Sequence, residues 1–228
     1  MKSYTSVFGI LHLALLFFPV LLGRAQTTTY FSNLGQTPVG SLSIGSNAWC
    51  AQEIITGTNS GGYLLNSIQL QLGTPTATPS GFSLAIYERN LPGGFIAPGS
   101  LLESLTGTVP SGSGVFTFQS SGLVLNPKQF YFIVATATTP VTSAAYRWEI
   151  TPWTQPAADS FALFGTRSIL YQSTDGLTWT GTRPNNFMFA INATAVPEPS
   201  SLVLLGLGGS FLFTRLARKS RSKAFSQQ

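Results

Sequence analysis

In the long middle of this chain, apolar residues recur at every second position and nowhere settle into a helical period long enough to make a helix. Ser67-Ile68-Gln69-Leu70-Gln71-Leu72 alternates polar and apolar, and so does Phe82-Ser83-Leu84-Ala85-Ile86. A period of two puts every apolar side chain of an extended segment on one face, so each reads as a half-buried strand. Residues 130–137 form a nearly continuous apolar run, the pattern of a buried strand. Residues 145–150 and 187–193 supply two more strands, with shorter candidates at 49–54, 101–106, 115–119, 161–164 and 169–172. Between them fall turn clusters: Asn59-Ser60-Gly61-Gly62, Pro92-Gly93-Gly94, Pro98-Gly99 and Ser111-Gly112-Ser113-Gly114. Eight to ten short strands at this spacing predict an all-β fold, a single jelly-roll-like β-sandwich without internal repeats. Residues 27–47, rich in Thr, Gly and Ser, read either as a strand or as a loosely held arm.

The two ends are different in kind. Lys2 precedes an apolar run over residues 7–22, and Gly23-Arg24-Ala25 offers small residues at a cleavage site before Gln26. This predicts a secretory signal peptide over residues 1–25, with an uncleaved membrane anchor as the alternative. At the other end, Val196-Pro197-Glu198-Pro199-Ser200-Ser201 is followed by an apolar segment over residues 202–213. Beyond it lie Arg215, Arg218, Lys219, Arg221 and Lys223. The two prolines keep the backbone extended, so a membrane segment has to begin after them. A twelve-residue helix reaches only about 18 Å against a hydrocarbon core of about 30 Å, so the segment spans marginally even when lengthened at both ends. A marginal span suits a transient stop in the membrane better than a permanent anchor, although tilt and thinning leave both open. The basic residues act as the stop signal and assign the tail to the cytoplasm, which leaves everything before it outside.

This three-part C-terminus resembles the PEP-CTERM sorting signal of Gram-negative bacteria. The resemblance implies processing by an exosortase and delivery to the cell surface or an extracellular polysaccharide matrix. A second, less specific resemblance covers most of residues 30–193. Tyr30-Phe31-Ser32-Asn33-Leu34-Gly35, Leu84-Ala85-Ile86-Tyr87-Glu88 and Leu123-Val124-Leu125-Asn126-Pro127 are among the stretches that look like the bacterial choice-of-anchor domains, type R. Those domains are alike chiefly in carrying a surface-anchoring tail, and this resemblance implies a secreted β-sandwich module without a catalytic residue to carry over.

Removing the ends changes the electrostatics. Over residues 27–196, Arg89, Lys128, Arg147, Arg167 and Arg183 stand against Glu53, Glu88, Glu103, Glu149, Asp159 and Asp175, a net charge of −1. The whole-chain value of +5 comes from the two terminal signals, so no basic surface for nucleic acid is expected. The one histidine, His12, lies in the signal peptide, which removes histidine-based nucleophile activation, general bases and metal sites from the mature domain. No cofactor or metal site is expected, because the carboxylates are too scattered for a loop-type calcium site. Paired carboxylates, drawn from Glu88, Glu103, Glu149, Asp159 and Asp175, leave a glycosidase as a residual alternative. Cys50, the single cysteine, reads as a buried thiol.

Binding carries more weight than catalysis. Trp49 and Trp148 sit in apolar strands and read as core. Trp153, in the proline-bounded loop Thr151-Pro152-Trp153-Thr154-Gln155-Pro156, is the candidate for stacking on a glycan. Ser173-Thr174-Asp175-Gly176-Leu177-Thr178-Trp179 is similar to an Asp-box but lacks a residue and does not repeat, so Asp175-Gly176 reads as a hairpin turn. Asn192-Ala193-Thr194 matches a glycosylation acceptor by chance.

The expected organisation is a signal peptide over 1–25, a secreted β-sandwich over 26–194 and a sorting signal over 195–228, with residues 194–196 as a very short linker. The expected function is a non-catalytic envelope or matrix protein. A carbohydrate-binding module using Trp153 is the alternative.

Overall fold

The structure, a computed structural model, describes residues 27–152, 165–182 and 185–197. The signal peptide, Trp153, the strand candidate at 161–164, Asp159, Arg167's side chain, Arg183, and the tail from Glu198 onward lie outside the described residues. That tail includes Pro199, Ser200, the apolar segment and Arg215, Arg218, Lys219, Arg221 and Lys223.

The all-β expectation holds. Fourteen strands form among the described residues: β1 (Thr28–Ser32), β2 (Gly40–Ile44), β3 (Trp49–Ile55), β4 (Tyr63–Thr76), β5 (Ser83–Asn90), β6 (Ala97–Gly107) and β7 (Gly114–Gln119) lead. They are followed by β8 (Val124–Leu125), β9 (Phe130–Thr136), β10 (Ala145–Pro152), β11 (Gly165–Ser173), β12 (Thr180–Thr182), β13 (Asn185–Phe187) and β14 (Phe189–Ala195). The segment read as a strand or an arm supplies both β1, paired with β14, and β2, paired with β10.

The strands make one antiparallel sheet that curls on itself, along the order β1-β14-β4-β7-β6-β5-β9-β3-β11-β12. One half holds β1, β14, β4 and β7, with β10 branching from β4 and carrying β2 and β13. The other half holds β6, β5, β9, β3, β11 and β12. The halves join where Thr106 and Gly107 of β6 pair with Gln119 and Phe118 of β7. Between them lies one apolar cluster: Ile68, Leu70 and Leu72 from β4 and Phe189 and Ile191 from β14 share it with Leu84, Ile86, Ile133 and Ile54 of the other half. The alternation read at 67–72 is thus the middle of β4, and its apolar positions Ile68, Leu70 and Leu72 all lie in this core.

Trp148 is fully buried there, stacked on Phe187 with ring centroids 4.1 Å apart, and its indole N–H donates to the Met188 carbonyl at 3.0 Å. Cys50 is also fully buried, and loss of hydration pushes its thiol far above the ordinary range. A thiol that stays protonated is neither a nucleophile nor a metal ligand.

Strand β9 is buried on both faces. Tyr131, Ile133 and Ala135 enter the central core, while Phe132 and Val134 belong to a second cluster with Ala51 and Tyr171. Trp49 packs on that second cluster rather than in the central core, a correction to the sequence expectation. Trp49 occupies an odd position of β3, and the β3 residues in the central core, Cys50 and Ile54, occupy even ones. Its indole N–H donates to the Ser46 carbonyl at 3.1 Å.

Candidate functional site: the junction of domain and tail

The tail leaves from the interior of the sheet. β14 lies between β1 and β4, paired antiparallel with both, and Ile191 and Ala193 are fully buried. Thr194 and Ala195 pair with Leu64 and Tyr63 of β4. The Thr194 hydroxyl adds a hydrogen bond to Asn66 Oδ1 at 3.1 Å. Residues 194 and 195 are therefore strand rather than linker, contrary to the sequence expectation, because the ladder continues to Ala195 and only Val196 lies beyond it.

Val196 is held by the turn between β3 and β4. Its N–H donates to the Gly62 carbonyl at 3.0 Å, and its carbonyl accepts from Asn59 Nδ2 at 2.9 Å. The same amide group reaches Gly62 O at 2.6 Å, so Asn59 bridges the turn and the departing chain. The Asn59 N–H donates to the Tyr63 hydroxyl at 2.9 Å, which fixes the amide's own backbone. A Cβ at Gly61 would stand 2.5 Å from the Val196 carbonyl oxygen, so only glycine allows this approach. Beneath the turn, the buried Tyr63 ring meets Tyr30 edge-on at 5.1 Å. Burial, then the neighbouring Tyr63, raises the Tyr30 hydroxyl above the ordinary phenol range, while a hydrogen bond with the Ala195 backbone opposes them. The first residue free of the domain is Pro197, which is exposed. The sequence marked Asn59-Ser60-Gly61-Gly62 only as a turn, and its partner 137 positions away could not be read from it.

The other candidate residues are dispersed. Glu88 is exposed on β5, as expected near a strand end, and Glu149 is half-buried on β10. Burial of Glu103 would raise its pKa, but hydrogen bonds from Ser120 and from the Ser121 hydroxyl and N–H hold it below the usual carboxylate range. Glu103 is thus bound up in tying β6 to the segment after β7.

Asp175, with a pKa lowered to about 2, accepts from the N–H groups of Thr178 and Leu177 and from the Ser173 hydroxyl. Asp175 and Gly176 (φ 73°) do form a hairpin turn, but the returning strand begins at Thr180 rather than at Leu177. The reason is local, since Asp175 takes the two amides that would otherwise have entered the ladder. Asn192 lies in central β14, bonded to Thr29 and Ser67, so its side chain is engaged within the sheet.

One pair went unread in the sequence. Glu53 is fully buried on β3, with Arg89 Nε 3.0 Å from its Oε1. The Arg89 guanidinium lies over the Phe130 ring at 4.3 Å. The available signal was a glutamate placed mid-strand in Trp49-Cys50-Ala51-Gln52-Glu53-Ile54-Ile55, where a solvated carboxylate has no room.

Residues 195–221 match the family model described as the PEP-CTERM protein-sorting motif. The match begins at Ala195, the last residue of β14, so the domain and its sorting motif share a strand. No curated protein and no solved structure matches the chain. The chain is a β-domain protein bearing a C-terminal sorting motif of the PEP-CTERM kind.

Proposed function

We propose that this protein is exported from a Gram-negative cytoplasm and stopped in the inner membrane by its C-terminal segment. An exosortase-type enzyme then processes it, and the β domain is delivered to the cell surface or an extracellular polysaccharide matrix as a non-catalytic component. The carrying observation is the sorting motif over residues 195–221, attached without a linker to a central strand. A processing enzyme needs an extended, unbonded segment, and Val196 has both backbone groups engaged. This supports a cut on the C-terminal side of Pro197, within the Pro-Glu-Pro-Ser stretch or after it. The non-catalytic reading draws on the lack of histidine after His12 and on the dispersal of the described carboxylates among separate structural duties.

Peptide mass mapping of material from the native envelope tests the proposal. A mature C-terminus between Pro197 and Ser201, with the basic tail gone, is the expected result. Intact peptides containing Arg215 to Lys223, recovered from the inner membrane, would replace it with a permanently anchored domain facing the periplasm. Asn59→Ala removes about 1 kcal/mol of hydrogen bonding from the junction. It should let termini scatter toward Ala195, visible in the same mass map.

A further inference from the structure

At one end of the second half of the sheet, where β5 runs out and the β8–β9 turn enters β9, there is a cleft of about 420 Å³. Its walls include Glu88, Arg89, Leu91, Asn126, Gln129 and Phe130. These come together through register: Glu88 pairs with Tyr131 across the β5–β9 ladder, which sets Arg89 beside Phe130. The turn bearing the two amides is rigid. The Thr56 hydroxyl donates to the Asn126 carbonyl at 2.5 Å and accepts from the Gln129 N–H at 2.9 Å, while the Asn126 N–H donates to the Tyr131 hydroxyl at 2.8 Å. With the backbone so engaged, the side chains of Asn126 and Gln129 remain exposed, as does Glu88.

The chemistry of this wall is specific. A carboxylate, two carboxamides and a guanidinium are all planar groups with two or three polar atoms side by side, a shape that grips adjacent hydroxyls in pairs. Arg89 is already balanced by buried Glu53 and braced on Phe130. The charges left facing a ligand are the carboxylate of Glu88 and the exposed Lys128 on the same turn as Asn126 and Gln129, so the cleft offers no net positive charge to draw an anion.

Leu91, which lines the cleft, opens the turn Leu91-Pro92-Gly93-Gly94-Phe95, and this turn presents two apolar side chains to water, Leu91 at 54% and Phe95 at 79% exposure. Hydrogen bonds from Gly94 N to Leu91 O and from Leu91 N to Asn90 Oδ1 hold this turn in shape. Paired hydroxyl-binding groups next to an exposed apolar shelf suit a ligand with polar edges and a C–H face.

We propose that this cleft binds a neutral saccharide, with Glu88, Asn126 and Gln129 engaging its vicinal hydroxyls and Leu91 and Phe95 supporting its ring. The assignment is independent of how the C-terminus is processed.

The test uses the full chain in a detergent without a sugar head group, run in native gels cast with dextran, starch, xylan or galactomannan, and with anionic alginate. Retardation by at least one neutral polysaccharide, and none by alginate, is expected. Phe95→Ala and the double variant Glu88→Ala/Gln129→Ala should each weaken it about tenfold or more, the scale of a lost charge-assisted hydrogen bond or apolar contact. All three side chains are exposed, so far-ultraviolet dichroism should be unchanged. Equal mobility in every gel, retardation by alginate alone, or retardation that survives both variants would overturn the assignment. Binding lost only in Trp153→Ala would move the site to that loop instead.

Discussion

The two faces of β9 follow different rules. On one, Tyr131, Ile133 and Ala135 meet an almost wholly apolar core closed by the opposite half of the sheet. On the other, Phe132 and Val134 share their surroundings with a buried ion pair, two half-buried tryptophans and Tyr171. The first face is governed by area removed from water, which any well-shaped apolar side chain supplies. The second depends on the mutual compensation of Glu53 and Arg89, which costs several kcal/mol of desolvation per ion before the pair gains anything. Volume lost from the apolar face has no partner whose removal restores the balance, whereas the charged pair can be removed together, so the two faces should differ in whether a second substitution rescues the first.

The largest effect is expected on the inner face. Trp148→Ala removes a fully buried ring and one of the two hydrogen bonds to the Met188 carbonyl, and should cost about 3–5 kcal/mol in urea denaturation. On the outer face, Arg89→Ala removes the guanidinium that balances the buried Glu53 carboxylate and should cost about 3 kcal/mol. Replacing both partners by apolar residues, Glu53→Leu with Arg89→Met, should recover most of that loss. No second substitution on the inner face would rescue Trp148→Ala in that way. If the double variant is no more stable than Arg89→Ala, the outer face is governed by shape and the contrast fails.

The smallest effect concerns acid. Glu103 has its folded pKa below the ordinary value, so its contribution is fully present above that value and is lost as pH falls through the lowered one. Denaturation midpoints from neutral to about pH 3 should therefore fall less steeply in Glu103→Gln than in the parent, with the gap between the two largest near neutrality and closing as pH falls.

The strands were legible because they alternate. The reading at 67–72 found the centre of β4 but not its fourteen-residue extent, since its ends, Tyr63-Leu64 and Gly73-Thr74-Pro75-Thr76, carry no clean alternation. β1 was left undecided because Thr28-Thr29-Tyr30-Phe31-Ser32 buries only Phe31 fully. What the sequence hid was pairing between distant segments. Asn59 and Val196, Glu53 and Arg89, and Glu88 and Gln129 are unrelated positions in the sequence until register brings them together. The sorting motif was fully legible because its parts are contiguous, and the cleft was not, because it draws on β5 and the β8–β9 turn.

That the tail continues a strand with a neighbour on each side also has a mechanical meaning. Tension on the C-terminus acts along β14, parallel to the ladders it shares with β1 and β4. Such a load shears both ladders at once, whereas a pull on an edge strand across its ladder would peel hydrogen bonds off singly. Flow past a cell holding the domain by this end would therefore be resisted by the strongest direction of the sheet, with the Asn59 turn as the first element to yield.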